Sequence, residues 1–542
     1  MNALATTTAF DTLDPEQLKA AFFSTHKSFA ERVTAIEQAL QGPFGDKVRE
    51  QLGRWVVQRL PGEELVPEKY AHWRPLVRDA MLYVFMHISI PRLAPKLVEQ
   101  LELPARTPTG TRLLKLISKV PGLQKLGQVL ARNRHLLPQL RRSLTKLENG
   151  IADMDPTEVQ QIIVRELGNR IEAHSVTVKP GIFFEASVSA VIRFTWRNPE
   201  TGKRERGVFK VLKPFIPPSF AEDMELLAGI AKYVGGRSRE YGFAKRVLPE
   251  TFSDVRRLLQ HEVDFPREQK TLSKAARAYG SLIGVRVPRL IPQLSTSRIT
   301  AMSEERGIKI TTAAARLPKW KRTGICEQLI EAFVAVPIFS TDRNAIFHAD
   351  PHAGNLLYDS RTGDVVILDW ALTESVSYEE RRRLAMLVLM TALRDSDGIF
   401  KQVQMLSRGG TRRKGAQAAL VRNCIHNFIA GLPFMRMPGS NDVLNLLEEI
   451  AMKGVRLPAP LIMLRKVLFT LDGVQHDMGS PDINMISIVA RHATPRWLSS
   501  WTALGAPLSL KDWLTVEASA LGYGGRVCWQ KMQSVLKPTA ST

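Results

Sequence analysis

Asp350, Asn355 and Asp369 stand in one stretch, IFHADPHAGNLLYDSRTGDVVILDWALTE (Ile346 to Glu374), and their types and spacing suit phosphoryl transfer. Asn355 follows Asp350 by five positions, a loop spacing. Leu356 to Tyr358 read as a short strand, Ser360 to Gly363 as a turn, and Val365 to Leu368 as a second strand that delivers Asp369 at its end. Moving a γ-phosphoryl group needs Mg²⁺ to neutralise the phosphate oxygens and a carboxylate to orient or accept the attacking hydroxyl. Asn355 and Asp369 offer hard oxygen ligands for Mg²⁺, and Asp350 is then the candidate base. His348 reads as a residue that fixes the loop by hydrogen bonding, while His352 suits either a structural or a chemical role. The plain alternative is an ordinary hairpin that carries two aspartates. The strand–loop–strand setting of all three residues argues against it.

Such a set needs a sizeable scaffold, and 542 residues supply one, enough for two to four domains. Apolar residues at 44% and charged residues at 24% exclude disorder as the theme. Cys326, Cys424 and Cys528 have neither paired spacing nor neighbouring ligands, so no disulfide framework or zinc site is expected. Lys and Arg number 75 against 53 Asp and Glu, a net charge of +22. That balance favours anionic partners: nucleotide phosphates, nucleic acid or an anionic membrane face. No apolar run reaches the ~18 residues that span a bilayer, and MNALATTTAFDTLDPEQL lacks a secretory pattern. The expectation is a cytoplasmic protein without a transmembrane helix.

In chain order, residues 1–105 read as helical, with Asp14-Pro15 and Pro67 as helix starts and Pro61-Gly62 and Pro91 as breaks. LYVFMHISI reads as a buried helix in preference to a membrane contact. Residues 106–175 form a helical extension that opens with a basic amphipathic region, Arg106 to Arg142, free of Asp and Glu. Inside it, Gly127 in Lys125-Leu126-Gly127-Gln128 costs a helix about 1 kcal/mol relative to alanine, which suggests a close approach to the backbone. Asp155-Pro156 starts a helix that runs to Leu167-Gly168. The texture then turns to strands, from Phe183 to Trp196 and from Gly207 to Leu212. Lys210 in the second strand is a cation beside a buried face and requires a partner. Glu262 and Glu268 are the candidates. Val287 to Pro292 and Arg298 to Glu304 read as two further strands, and beyond Glu374 the chain reads as helical to the end.

These residues resemble protein kinases: His348-Ala-Asp350 with Asn355 is similar to the H-R-D-x-x-x-x-N loop, and Lys210 stands where kinases carry the lysine of V-A-I-K. The implied fold is α+β and bilobal, with a β-rich N-lobe over 176–303 and a helical C-lobe over 304–542. The second strand ends where a kinase has its hinge, which makes Met302 and Glu304 nucleotide contacts. More specifically, Leu113 to Met478 resembles the UbiB/AarF family of atypical protein-kinase-like proteins. Lys125-Leu-Gly127-Gln128 is similar to its KxGQ signature, Glu262-Val-Asp264 to its ExD motif, and Ala186-Ser187 falls at its alanine-rich phosphate loop.

That resemblance implies ATP and Mg²⁺ as cofactors, ATPase or atypical kinase activity, and KxGQ helices that cover the active site. It pairs Lys125 with Glu262, and Lys210 with the nucleotide phosphates and Glu268. It further implies isoprenoid quinone (ubiquinone) or related lipid metabolism, with quinone-biosynthesis proteins and peripheral contact with an anionic or isoprenoid lipid surface as partners, and no nucleic acid. Three departures stand out: the loop FEASVSA lacks two of the family's alanines and carries Ala190 where glutamine is usual, the metal motif is Asp369-Trp370-Ala371, and the C-terminal part holds no spanning run. Two other readings follow from them. A phosphotransferase of the aminoglycoside/choline kinase type shares the Asp-Trp pair, and a nucleotide-binding pseudokinase scaffold would tolerate the altered loop.

Overall fold

A computed structural model of the chain describes residues 22–60, 66, 68, 71, 74–118, 120–124, 154–241, 253, 256–257, 259–340, 342–407, 415–432, 440–452, 459–479, 508, 512 and 514–522. The chain divides into two compact units, Met1–Pro266 with Ile291–Met302, and Arg267–Leu290 with Ser303–Thr542.

The first unit opens with helices α1 (Phe29–Gln41), α2 (Gly45–Gln58), α3 (Arg74–His87), α4 (Ile90–Glu102) and α5 (Thr109–Ile117). Leu40, Val56, Phe85, Ile88, Leu93 and Leu97 share one core, so the LYVFMHISI segment packs one face inward through Phe85 and Ile88, while His87 and Ser89 are exposed. The break expected at Pro91 falls at residues 88–89, between α3 and α4. Pro91 itself sits in the first turn of α4, where its missing N–H costs nothing. α6 (Pro156–Leu167) starts as expected: the Asp155 carboxylate accepts from the Thr157 N–H at 2.8 Å with Pro156 in the first turn.

The sheet of this unit runs β1 (Thr177–Val178), β3 (Ser189–Arg197), β4 (Arg204–Leu212) and β6 (Ile299–Ser303), with β2 (Phe184–Glu185) also on β3; β5 (Val285–Arg286) belongs to the other unit. The run from Phe183 to Trp196 is therefore two strands, not one. The Ala186 N–H donates to the Ser189 carbonyl at 2.8 Å and folds β2 back along β3, with Glu185 opposite Ala190. Along β3, Ala190, Ile192, Phe194 and Trp196 alternate into a core shared with Val159, Ile162, Ile163 and Leu167 of α6. Phe209 and Val211 of β4 join the same core. Strand alternation thus sends Lys210 to the opposite face. Helix α7 (Ile216–Gly236) follows, and α8 (Phe265–Tyr279) carries the chain across the division.

In the second unit β5 pairs parallel with β10 (Asp364–Ile367), and β10 antiparallel with β9 (Leu356–Asp359), which also pairs with β7 (Ile308–Lys309). β8 (Asn344–His348) and β11 (Thr373–Ser377) form a separate antiparallel pair. Helices α9 (Lys319–Ile330), α10 (Tyr378–Ala392), α11 (Ser396–Leu406), α12 (Gly415–Gly431), α13 (Ser440–Met452) and α14 (Ala459–Asp477) complete the described part. Two expectations change here. Val287 to Pro292 is not a regular strand, because Pro288 and Pro292 have no N–H to give a ladder; β5 ends at Arg286, and only isolated bonds such as Ile291 N–H to the Ala301 carbonyl, 2.8 Å, continue the extended path. The first helix beyond Glu374 begins at Tyr378, and what the sequence did not announce is β11, which first returns along β8 to Ser377. The α+β class is as expected.

Gly207 lies opposite Phe194 in the β3–β4 ladder, and a Cβ there would stand 2.5 Å from Phe194 Cζ and 3.0 Å from the Met302 carbonyl oxygen. Phe194 is held in turn by its stack on Phe209, with ring centroids 3.8 Å apart. Gly207→Ala is expected to lower stability by roughly 1–3 kcal/mol through overpacking, read as a drop in thermal midpoint by circular dichroism. A midpoint equal to the parent's would show that this crowding is not present.

Candidate active site

The register of the β9–β10 hairpin determines where its chemistry-bearing residues emerge. Leu356 faces Ile367 at the open end, so Asn355 and Leu368 are the next pair, and the Leu368 N–H donates to the Asn355 carbonyl at 2.9 Å. Asp369 follows with a left-handed backbone, φ 53°, and an exposed side chain. Asp is one of the few residue types that visits this region, at a cost on the order of 1 kcal/mol.

His348 joins this end to the loop that carries Asp350. The imidazole is fully buried. Nε2 lies 3.0 Å from the Leu368 carbonyl oxygen and 2.8 Å from that of Asp369, and Nδ1 accepts from the Asp350 N–H at 3.1 Å. Carbonyls only accept and an amide N–H only donates, so these partners assign the hydrogen to Nε2. Burial pushes the His348 pKa below its ordinary value, against the opposing pull of Asp350 and Asp369, and the ring is neutral. Trp370 meets it edge-on at 5.1 Å and Phe333 at 5.7 Å. Asp350 is itself buried, with its Oδ2 4.0 Å from His352 Nε2. His352 has a local structural task as well, since its Nδ1 accepts from the Gly354 N–H at 3.0 Å and caps the turn Ala353–Asn355.

A divalent ion fits the donor set. Asn355 Nδ2 donates to the Asp350 carbonyl at 3.2 Å, which leaves Oδ1 as the atom able to face a cation. Among the described residues no group of three or more His, Cys, Asp or Glu forms a metal cage. Two oxygen ligands suit Mg²⁺ shared with phosphates, a metal that seldom uses an all-protein site.

The main chain after Asp369 is fixed from α8. Arg267 Nη1 donates to the Ala371 carbonyl at 2.8 Å and Nη2 to that of Thr373 at 3.0 Å, while Thr271 Oγ1 donates to the Trp370 carbonyl at 2.8 Å. Glu268, also on α8, is buried.

The first unit brings together a different subset. Ala186, Ser187 and Val188 make the turn between β2 and β3. Ser187 Oγ donates to Glu262 Oε2 at 3.5 Å. Lys210 is buried on β4, with Nζ 5.7 Å from the centre of the Phe265 ring, within cation–π range. Lys213 lies just past β4, and its Nζ is 3.1 Å from Glu185 Oε1. Met302, within β6, is half-buried and Asp264 is exposed immediately before α8, while Glu304, also half-buried, belongs to the second unit. Lys125, Gly127 and Gln128 lie outside the described residues.

Sequence reasoning missed Arg267, Thr271 and the Glu185–Lys213 pair. The four-residue interval between Arg267 and Thr271 did place them on one helix face, but nothing local said that this face meets carbonyl oxygens. Glu185 was visible only as a residue out of place in an alanine-rich loop.

A loop and hairpin of this form, with a lysine strand in a small antiparallel sheet, are those of a kinase-like fold. Residues 146–403 match the family model for the ABC1 atypical kinase-like domain. This match covers just under half of the chain and gives it a kinase-like domain similar to that of the UbiB/AarF family. An uncharacterized protein of Synechocystis sp., sll1770, is 24% identical over 384 residues, covering 69% of this chain and 62% of that protein. The chain therefore spans less than two thirds of that relative's length. The solved complex of Rv3197 with erythromycin from Mycobacterium tuberculosis is similar at 16% identity and a TM-score of 0.42, covering 67% of this chain and 89% of that one.

The neutral, buried His348 makes stability depend on pH. Its folded-state pKa lies below the 6.5 that it regains on unfolding, so between the two values the unfolded chain binds more protons. The contribution is complete above 6.5 and is lost as pH falls through that value toward the lowered one. The thermal midpoint of the parent is expected to fall more steeply over this range than that of His348→Gln. Equal slopes in the two proteins would refute the buried neutral imidazole.

Proposed function

We propose that this chain binds Mg²⁺–ATP and works as an atypical kinase or ATPase. The observation that carries the reading is the His348 bridge, which holds Asp350 and the Asn355–Asp369 pair to one another through main-chain bonds. In this reading Asn355 and Asp369 hold the ion, whose part is to neutralise charge on the transferring phosphate. Asp350 accepts or orients the hydroxyl of the acceptor or of water, and its proximity to His352 gives the proton an onward path. Lys210 engages the phosphates, Ala186 and Ser187 line their turn, and Met302 and Glu304 contact the nucleotide. Lys210 pairs with Glu268, and Lys125 with Glu262; Gly127, Gln128 and Asp264 complete the regulatory set. The matching organisation is a helical region over 1–105, a KxGQ-type extension over 106–175, and lobes over 176–303 and 304–542.

We place the activity in isoprenoid quinone or related lipid metabolism, on the strength of the resemblance to the UbiB/AarF family. Surplus positive charge, +22 over the chain, suits an anionic membrane face. Among the described residues no helix is long and apolar enough to cross a membrane, so the contact proposed is peripheral. A nucleotide-binding scaffold is the second reading. The altered phosphate loop, FEASVSA, favours it.

Mg²⁺-dependent ATP hydrolysis, measured with and without anionic vesicles, separates the two. An enzyme is expected to lose about 10²–10⁴ in kcat in Asp350→Asn, to lose its Mg²⁺ response in Asp369→Asn, and to be stimulated by vesicles. Thermal stabilisation by ATP with no turnover under any condition would establish the scaffold instead. No nucleotide binding at all would overturn both readings.

A further inference from the structure

The turn Ala186–Val188 is enclosed by two charges that the proposed mechanism does not use. Glu185 ends β2 immediately before it. Lys213 is docked to it by the main chain, its N–H donating to the Val188 carbonyl at 3.0 Å. The side chains then meet, with Lys213 Nζ 3.1 Å from Glu185 Oε1 and only 1% and 9% of their surfaces exposed. A buried ion pair is weak support for a fold, because a well-packed apolar pair of similar volume does as well or better. These charges therefore matter most to whatever enters the turn. An anion at the turn would meet this cation and carboxylate side by side, with the Glu262 carboxylate on Ser187 and with Lys210 three positions back on β4. In a site of reduced dielectric, a change of one unit charge at close range outweighs most single hydrogen bonds.

We propose that the Glu185–Lys213 pair is the charge control of the phosphate-binding turn: Lys213 is a phosphate-positioning cation, and Glu185 restrains it. The inference rests on the nucleotide reading above. Affinity for a nucleotide triphosphate then follows the net charge of the pair, while affinity for the uncharged nucleoside does not. A tie that merely braces the turn behaves differently, since any break in it weakens both ligands together.

The test measures Kd for ATP and for adenosine by calorimetry on the full chain. Glu185→Gln leaves a surplus positive charge and is expected to bind ATP about tenfold more tightly. Lys213→Gln leaves a surplus negative charge and is expected to bind it about tenfold more weakly. The doubly neutral Glu185→Gln/Lys213→Met is expected to return to the parent value, and adenosine to bind alike throughout. An ATP affinity that is flat across the series, or that moves together with adenosine, overturns the proposal. Should one single variant not fold, the other against the double variant decides the matter. Failure of both to fold assigns the pair to stability and overturns the proposal too. A parent that binds no ATP refutes the nucleotide reading itself, a result distinct from a parent that binds ATP with a flat series.

Discussion

The hydrogen bonds of the His348 ring are the constraint on which the second unit's site depends. Two segments far apart along the chain, one ending β8 and one following β10, must present Asp350 and Asp369 in a constant relation. Neither segment is regular structure at that point. A single planar ring with a donor on one side and an acceptor on the other reaches both, and burial keeps it in the one protonation state that can do so. A charged imidazole would bring a second N–H toward the Asp350 N–H, and the acceptor on which that amide relies would vanish.

Around this ring the structure repeats one solution. Arg267 and Thr271 reach carbonyl oxygens from Trp370 to Thr373, and Trp370 is sealed beneath His348 and beside Tyr279. The Asp-Trp-Ala sequence thus has a structural reading. The indole fills the space under the ring, its Nε1–H satisfied by the Ile367 carbonyl at 3.1 Å, and Asp369 is left exposed with its backbone in an uncommon conformation. Large aromatic burial immediately after an exposed carboxylate fixes the direction in which that carboxylate leaves the core.

What the sequence made legible was local. The hairpin, the five-residue interval between Asp350 and Asn355 and the helix from Asp155 all depend on neighbours within a few positions; the structural part of His348 was legible as a role, while its partners about twenty positions away were not. The lysine strand was legible because alternation alone separates Lys210 from Phe209 and Val211. The turn at Ala186 was not, since FFEASVSAVIRF is apolar enough on both sides to read as one strand, and only pairing with β3 shows the reversal. Nor was the pair of Glu185 and Lys213, whose separation in sequence carries no periodic signal. Val287 to Pro292 misled in the opposite way: its β-branched and apolar residues invited a strand that its two prolines forbid.

Both units fix short main-chain turns with polar and charged side chains withdrawn from water, and the reason is geometric. A turn of three or four residues has too little apolar surface to be held by burial, which is non-directional and proportional to area. Hydrogen bonds to carbonyl and amide groups are directional, and those made by charged groups are about twice as strong as neutral ones. Arg267 fixes a segment in this way and remains remote from it in function, as its bonds end on carbonyls. Glu185 and Lys213 differ in kind: they bind each other, and their field reaches the turn that they enclose. A charge enlisted to shape a turn necessarily acts as well on any anion that the turn receives.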